Sequence, residues 1–164
     1  MKPVKKMQFV KSLKIGKEAE KVFMKYLVDY PDMVSLEFSK WRCKDYDIKM
    51  VTKDKEITYE VKSDRRSEET GNCCIECKYK WQDSWIYWSK ADYIVYYSDK
   101  KRRIQEREAL IQWIKDNPPQ ETHWGDGGWS KLYLYPVERL PEMFLQIPEL
   151  PELTSLDEIK QANL

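Results

Sequence analysis

The residues best placed to do chemistry lie in the stretch DYDIKMVTKDKEITYEVKSD, residues 45–64, which concentrates acids and lysines on two alternating runs joined by a short polar turn. Alternation of polar and apolar residues marks a half-buried strand. With a two-residue turn at Lys53-Asp54, Ile48 faces Tyr59, Lys49 faces Thr58 and Met50 faces Ile57. Opposed residues share a side of the sheet, so Ile48, Met50, Ile57 and Tyr59 form one apolar face. The same register sets Asp47 opposite Glu60 and Asp45 opposite Lys62 on the other face, and a slip by one residue would break the apolar face. Two facing carboxylates repel unless something neutralises them. A divalent cation does so by taking both as hard oxygen ligands, and a lysine alongside can orient a water or stabilise charge on a phosphate. The competing reading is a solvated charged face. An acid-x-Lys tripeptide alone carries little information, because it recurs at Asp47-Lys49, Glu76-Lys78, Asp99-Lys101 and Glu158-Lys160.

The elements that must position these residues follow from periodicity. Gly16 to about Tyr30 reads as an amphipathic helix closed by Pro31. Strands are expected at 33–41, 43–51, 56–63, 73–81 and 91–98, and a second helix at 106–117, stopped by Pro118-Pro119. HWGDGGWS reads as loop from its glycines, and residues 131–137 as a last short strand. This order predicts an α/β (α+β) fold with a mixed central sheet of about five strands flanked by helices. One domain is expected over 1–140, followed by a proline-rich tail over 141–164.

The chain has 164 residues, 41% hydrophobic and 35% charged, with a formal net charge of +1. Local basic blocks (Lys2 to Lys17, Arg65-Arg66, Lys100 to Arg103) could meet phosphates or simply be solvated. No apolar run approaches membrane-spanning length and the start lacks the apolar block of a signal peptide, so a cytoplasmic protein is expected. A single histidine, His123, excludes nuclease classes built on paired histidines. Cys43, Cys73, Cys74 and Cys77 could form a zinc or iron–sulfur site, but GNCCIECKYKW alternates like a strand, where cysteine packs as a small hydrophobe. Packing is the expectation.

An acid on one strand followed by Glu-x-Lys on the next, here Asp47 and YEVK at 59–62, resembles the PD-(D/E)XK nuclease superfamily. IGKEAEKVF resembles its first helix, in which a glutamate faces the metal site. Glu20 fits that position, and Glu18 is one residue off that face. VKSDRRSEETGNCCIEC and DSWIYWSKADYIVYY resemble segments of small phage- or virus-type members. Tyr46 replaces the proline expected before the acid, and Trp85 stands where small members tend to have glycine. The resemblance spans about 15–137 and implies a restriction-endonuclease-like core. It implies Mg²⁺, with Mn²⁺ able to substitute, held by Asp47, Glu60 and the Val61 carbonyl, with Glu20 binding a second metal or a metal-bound water. It also implies a water attacking phosphorus, Lys62 assisting, and a 5′-phosphate product. DNA is the expected partner before RNA, with host-cell cytoplasm as the compartment if the protein is viral, and a homodimer is open.

Around that site Arg65, Arg66 and Lys90 are candidate phosphate contacts. Trp85, with Trp81, Tyr87 and Trp88, is a candidate for stacking on bases. Asp64 is expected to pair with Arg65 or Arg66 or to reach a second metal, and Glu76 to pair with Lys78 or Lys80 or to extend the acidic site. The alternatives are a catalytically inactive nucleic-acid-binding relative and a cysteine-organised metal module.

Overall fold

The computed structural model describes the backbone of residues 3–40, 45–98, 102–125, 127–140 and 145–146, and side chains over 13–40, 45–98, 103–125 and 127–140. Helix α1 (Pro3–Val28) is longer than its apolar stripe suggests, because it begins well before Gly16. Proline is tolerated at a helix start, where the first amides have no intrahelical partner. Ala19, Phe23 and Leu27 recur at four-residue spacing and are buried, so one face of α1 is committed to the core. Asp32, in the left-handed region at φ 60°, turns the chain into β1 (Met33–Phe38).

β2 (Ile48–Thr52) and β3 (Glu56–Ser63) form the expected hairpin in the expected register, with Ile48 opposite Tyr59 and Met50 opposite Ile57. The Thr52 amide donates to the Lys55 carbonyl at 2.8 Å, closing a two-residue turn at Lys53-Asp54. Ile48, Met50, Ile57 and Tyr59 are all buried, with Phe23 and Leu27 of α1 in the same cluster. β3 then pairs in parallel with β6 (Tyr93–Tyr97), which pairs antiparallel with β7 (Arg102–Glu106). The sheet runs β1-β2-β3-β6-β7, with the two-residue β10 (Leu145–Gln146) added at the β7 edge. It is a mixed sheet in an α+β architecture. Asp92 starts the parallel pairing with its side chain, accepting from both the amide and the hydroxyl of Thr58 at 2.8 Å.

A second sheet, absent from the sequence expectation, sets β5 (Gln82–Asp83), β4 (Asn72–Tyr79), β9 (Ser130–Pro136) and β8 (Glu121–Gly125) side by side in that order. Single-turn α2 (Ser67–Thr70) leads into β4 (Asn72–Tyr79). β5 (Gln82–Asp83) follows, then single-turn α3 (Trp85–Trp88). α4 (Arg107–Asp116), β8 (Glu121–Gly125), β9 (Ser130–Pro136) and a 3₁₀ turn at Val137–Arg139 complete the described chain. His123, Trp124 and Gly125 lie in β8 rather than in the loop their glycine-rich context suggested. The described chain has two cores, one under α1 and one joining Cys73, Ile75, Cys77, Leu110, Ile114 and Tyr135 to Ile94 and Tyr96 of β6. β6 is therefore buried on both faces, which its continuous apolar run allows.

Of the proline-rich tail, only Leu145–Gln146 falls among the described residues. No helix is long and apolar enough to cross a membrane among the described residues. Phe23 is fully buried and meets Tyr59 edge-on with ring centroids 5.2 Å apart. Phe23→Ala is expected to destabilise the fold by about 3–5 kcal/mol in urea titration. A loss well under 1 kcal/mol would mean that α1 does not hold the sheet.

Candidate functional site

Backbone pairing of β2 with β3 stops at Ile48–Tyr59, so Asp47 is not a paired strand residue facing Glu60. Its backbone amide donates to the Tyr59 carbonyl at 2.8 Å. Its side chain then takes over the ladder, with Oδ2 accepting from the Val61 amide at 2.8 Å. One carboxylate oxygen is thereby fixed to the strand that carries Glu60 and Lys62. Asp45 does not meet Lys62; its Oδ2 is 3.1 Å from Nζ of Lys90, and its carbonyl accepts from the Lys90 amide.

Glu60 is 6% exposed. Its Oε1 accepts from Nζ of Lys62 at 2.6 Å, and its Oε2 lies 3.4 Å from the Ser89 hydroxyl. That hydroxyl donates to the Asp45 carbonyl at 2.9 Å and accepts from the Ala91 amide at 3.2 Å. Ser89 thus ties the loop before β6 to the approach to β2 and faces Glu60 from there. Sequence reasoning missed it. Its only signal was membership of the Ser-Lys-Ala-Asp stretch at 89–92, with nothing to separate it from its neighbours. Lys62 Nζ also lies 4.4 Å from the centroid of a Trp85 ring, a cation–π contact that limits where the ammonium can go. Trp85 is half-buried and packs edge-on against Tyr96. The candidate base-stacking residue therefore faces the site lysine.

Glu20, 7% exposed, projects from α1 with Nζ of Lys17 at 2.7 Å. Burial is the main cause of its raised pKa; the Asp47 charge adds to the rise, and Lys17 and Lys62 oppose it. Burial also raises Glu60 most, against the pull of Lys62 and with a further push from Asp47. Glu20 and Glu60 therefore each feel both the Asp47 carboxylate and the Lys62 ammonium. Among the described residues no three His, Cys, Asp or Glu side chains converge closely enough to enclose a metal ion by themselves. What the site offers a cation is a small set of hard oxygens whose mutual repulsion a divalent ion relieves. Mg²⁺ suits such a set, since it binds through one or two carboxylates and keeps several waters.

The remaining candidates are dispersed. Arg65 is exposed and lies 3.7 Å from Glu18, so Glu18 engages an arginine at the surface. Arg66 is exposed at the N-cap position of α2 without a side-chain capping bond, and Lys90 is exposed beside Asp45. The Val61 side chain is buried under α1, while its amide holds Asp47. Asp64 is buried instead of meeting Arg66 at the surface. Burial pushes it up to about 6 against the opposing Cys73, Ser67 and Arg103, and its Oδ2 has no hydrogen-bond partner. Glu76 accepts from the hydroxyls of Ser84 and Ser130, not from Lys78 or Lys80. His123 is exposed, 3.5 Å from Glu121. Cys73 and Cys77 are buried on one face of β4 while Cys74 points to the other. Residues three apart on a strand face opposite ways, which denies Cys74 and Cys77 a shared ion. Cys43 lies outside the described residues.

Comparison with protein families, with curated proteins and with solved structures finds no match to this chain.

The raised Glu20 carboxyl has a stability consequence with a definite sign. Its folded-state pKa exceeds the ordinary 4.5, so the folded form holds the proton more tightly than the unfolded one. Stability present below the ordinary value is lost as pH rises through the raised one. Glutamine mimics the protonated form. Glu20→Gln is expected to unfold at higher urea than the parent at about pH 8, with the gap narrowing toward about pH 4. A constant gap, or a less stable variant at high pH, would contradict this electrostatic account.

Proposed function

We propose that the chain is a Mg²⁺-dependent nuclease of the PD-(D/E)XK type that hydrolyses phosphodiester bonds of DNA. The observation that carries the reading is the side-chain rung from Asp47 to Val61. It brings a second carboxylate into the field of the buried Glu60, whose other neighbour is the Lys62 ammonium at 2.6 Å. The order of elements supports a restriction-endonuclease-like core: a helix, an antiparallel β1-β2-β3 meander, and then β6 parallel to β3.

Asp47 and Glu60 would hold the ion, and Glu20 would reach it through a water. Mg²⁺ bound there would supply Lewis-acid polarisation of a phosphate oxygen and lower the pKa of a coordinated water. Lys62, moving a short distance from Glu60, stabilises negative charge building on the phosphate. Trp85 keeps that ammonium oriented and shields it from bulk water on one side. Ser89 faces the second oxygen of the Glu60 carboxylate at 3.4 Å. Since cation binding needs ionised carboxylates, affinity falls as pH drops through the raised pKa values of Glu20 and Glu60. The cytoplasm is the compartment in which such a protein is proposed to act.

A second reading is favoured by one specific feature. Glu60 is already neutralised inside the protein by the Lys62 ammonium at 2.6 Å, as suits a catalytically inactive nucleic-acid-binding relative. Incubation with plasmid and with single-stranded DNA, in Mg²⁺ or EDTA, separates the two. Cleavage in Mg²⁺ alone is expected, with Asp47→Ala, Glu60→Ala and Lys62→Ala each slower by roughly a hundredfold or more while circular dichroism stays unchanged. Binding without cleavage in Mg²⁺ or Mn²⁺ would replace the first reading by the second.

A further inference from the structure

The far end of the second sheet exposes large aromatic surface of a kind that a chain normally buries. Trp81 is 73% exposed, Trp124 50%, Trp129 49% and Tyr79 43%. Scattered exposed aromatics need no explanation, but a contiguous group does. These are contiguous. Trp81 and Trp124 meet with ring centroids 5.4 Å apart, and Nζ of Lys80 lies 5.3 Å from the Tyr79 ring and 5.9 Å from the Trp129 ring.

The backbone is shaped to present them. Tyr79 pairs with Gln82, leaving Lys80 and Trp81 as a two-residue hairpin turn with φ of 49° and 68°. Turns with two positive φ values ordinarily use asparagine or glycine, and a bulky residue there is an outlier. The neighbouring turn between β8 and β9 uses Gly127 and Gly128 at positive φ to bring Trp129 round. The Lys80 amide donates to the Trp129 carbonyl at 2.8 Å and locks the two hairpin ends together. Three indoles thus sit on a rigid, strained support instead of a floppy tip.

We infer that this surface is a stacking platform for unpaired bases of a single-stranded nucleic acid. Rigid aromatic faces with an interleaved lysine suit bases and phosphates together. Lys80 is exposed, and among the described residues no carboxylate lies within ion-pair distance of it. The platform also adjoins the site. Trp81 precedes Trp85, whose ring faces Lys62, by four residues that span at most about 14 Å even fully extended. A strand stacked on Trp81 has only a few nucleotides to cross before it reaches Lys62. The choice of nucleic acid as occupant rests on the nuclease reading, which this inference narrows to substrates with a single-stranded segment.

The test uses the full chain in EDTA, where binding is read without cleavage. Oligo(dT) titrated into the protein is expected to quench tryptophan fluorescence. Trp81→Ala is expected to bind roughly tenfold more weakly by anisotropy, with Trp81→Phe near the parent. No oligo(dT) binding, or equal binding by the parent, Trp81→Ala and Trp129→Ala, would overturn the platform. Flotation with phosphatidylserine vesicles that depends on Trp81, without oligonucleotide binding, would also overturn it and identify a membrane surface as the occupant. Cleavage in Mg²⁺ is scored separately. Cleavage with Trp81-independent binding removes the platform and keeps the nuclease, and Trp81-dependent binding without cleavage does the reverse.

Discussion

The site depends on a single hydrogen bond in which a side chain stands in for backbone. Asp47 Oδ2 receives the Val61 amide at the point where the β2–β3 ladder would otherwise continue. A hydrogen bond to a charged acceptor contributes about 1.5–3 kcal/mol, and this one also settles position. It satisfies a strand amide that would be costly to bury unpaired, and in doing so it anchors a carboxylate within the field of Glu60. Backbone pairing alone would have left Asp47 to the ordinary alternation of its strand. The rung converts a structural need, a partner for Val61, into a fixed location for charge.

Around that rung the molecule tolerates an unfavourable arrangement. Glu20 and Glu60 are buried carboxylates whose pKa values are raised chiefly by desolvation, and the charge of Asp47 raises both further. Lys62 and Lys17 offset part of the repulsion. A fold selected for stability alone would place apolar groups at such positions, so the concentration of like charge is more informative than any single contact. The two cores supply what the site consumes: α1 covers one face of the first sheet, and the second sheet with α4 covers the other.

How much was legible beforehand divides along burial. The hairpin register was readable because Ile48, Met50, Ile57 and Tyr59 must share one buried face, and only one pairing allows that. The side-chain rung was not, because register arithmetic assumes backbone bonds to the strand's end. β7 and β8 went unseen: RRIQE and ETHWG are too polar to alternate, and β8 is an exposed strand held by its backbone ladder with β9. With β8 hidden, the second sheet was hidden too. Trp85 was recognised as unusual without its partner, since nothing in residue spacing brings position 85 to position 62. The start of α1 was missed because its stripe is recognisable only where the sheet lies beneath it.

The segment from Ser84 to Ser89 is pinned at both ends and in the middle. Ser84 is bound to Glu76, Ser89 to the Asp45 carbonyl, and the Ile86 carbonyl between them accepts from Arg107 at 3.3 Å. Within that span the chain delivers an indole to Lys62 and a hydroxyl to Glu60. Its contour length is consequently quantised. One residue added or removed would rotate the indole or the hydroxyl out of phase with its target, and no compensating slack exists because every anchor belongs to a different element. Drift in loop size, common at the surface of most domains, is closed off here.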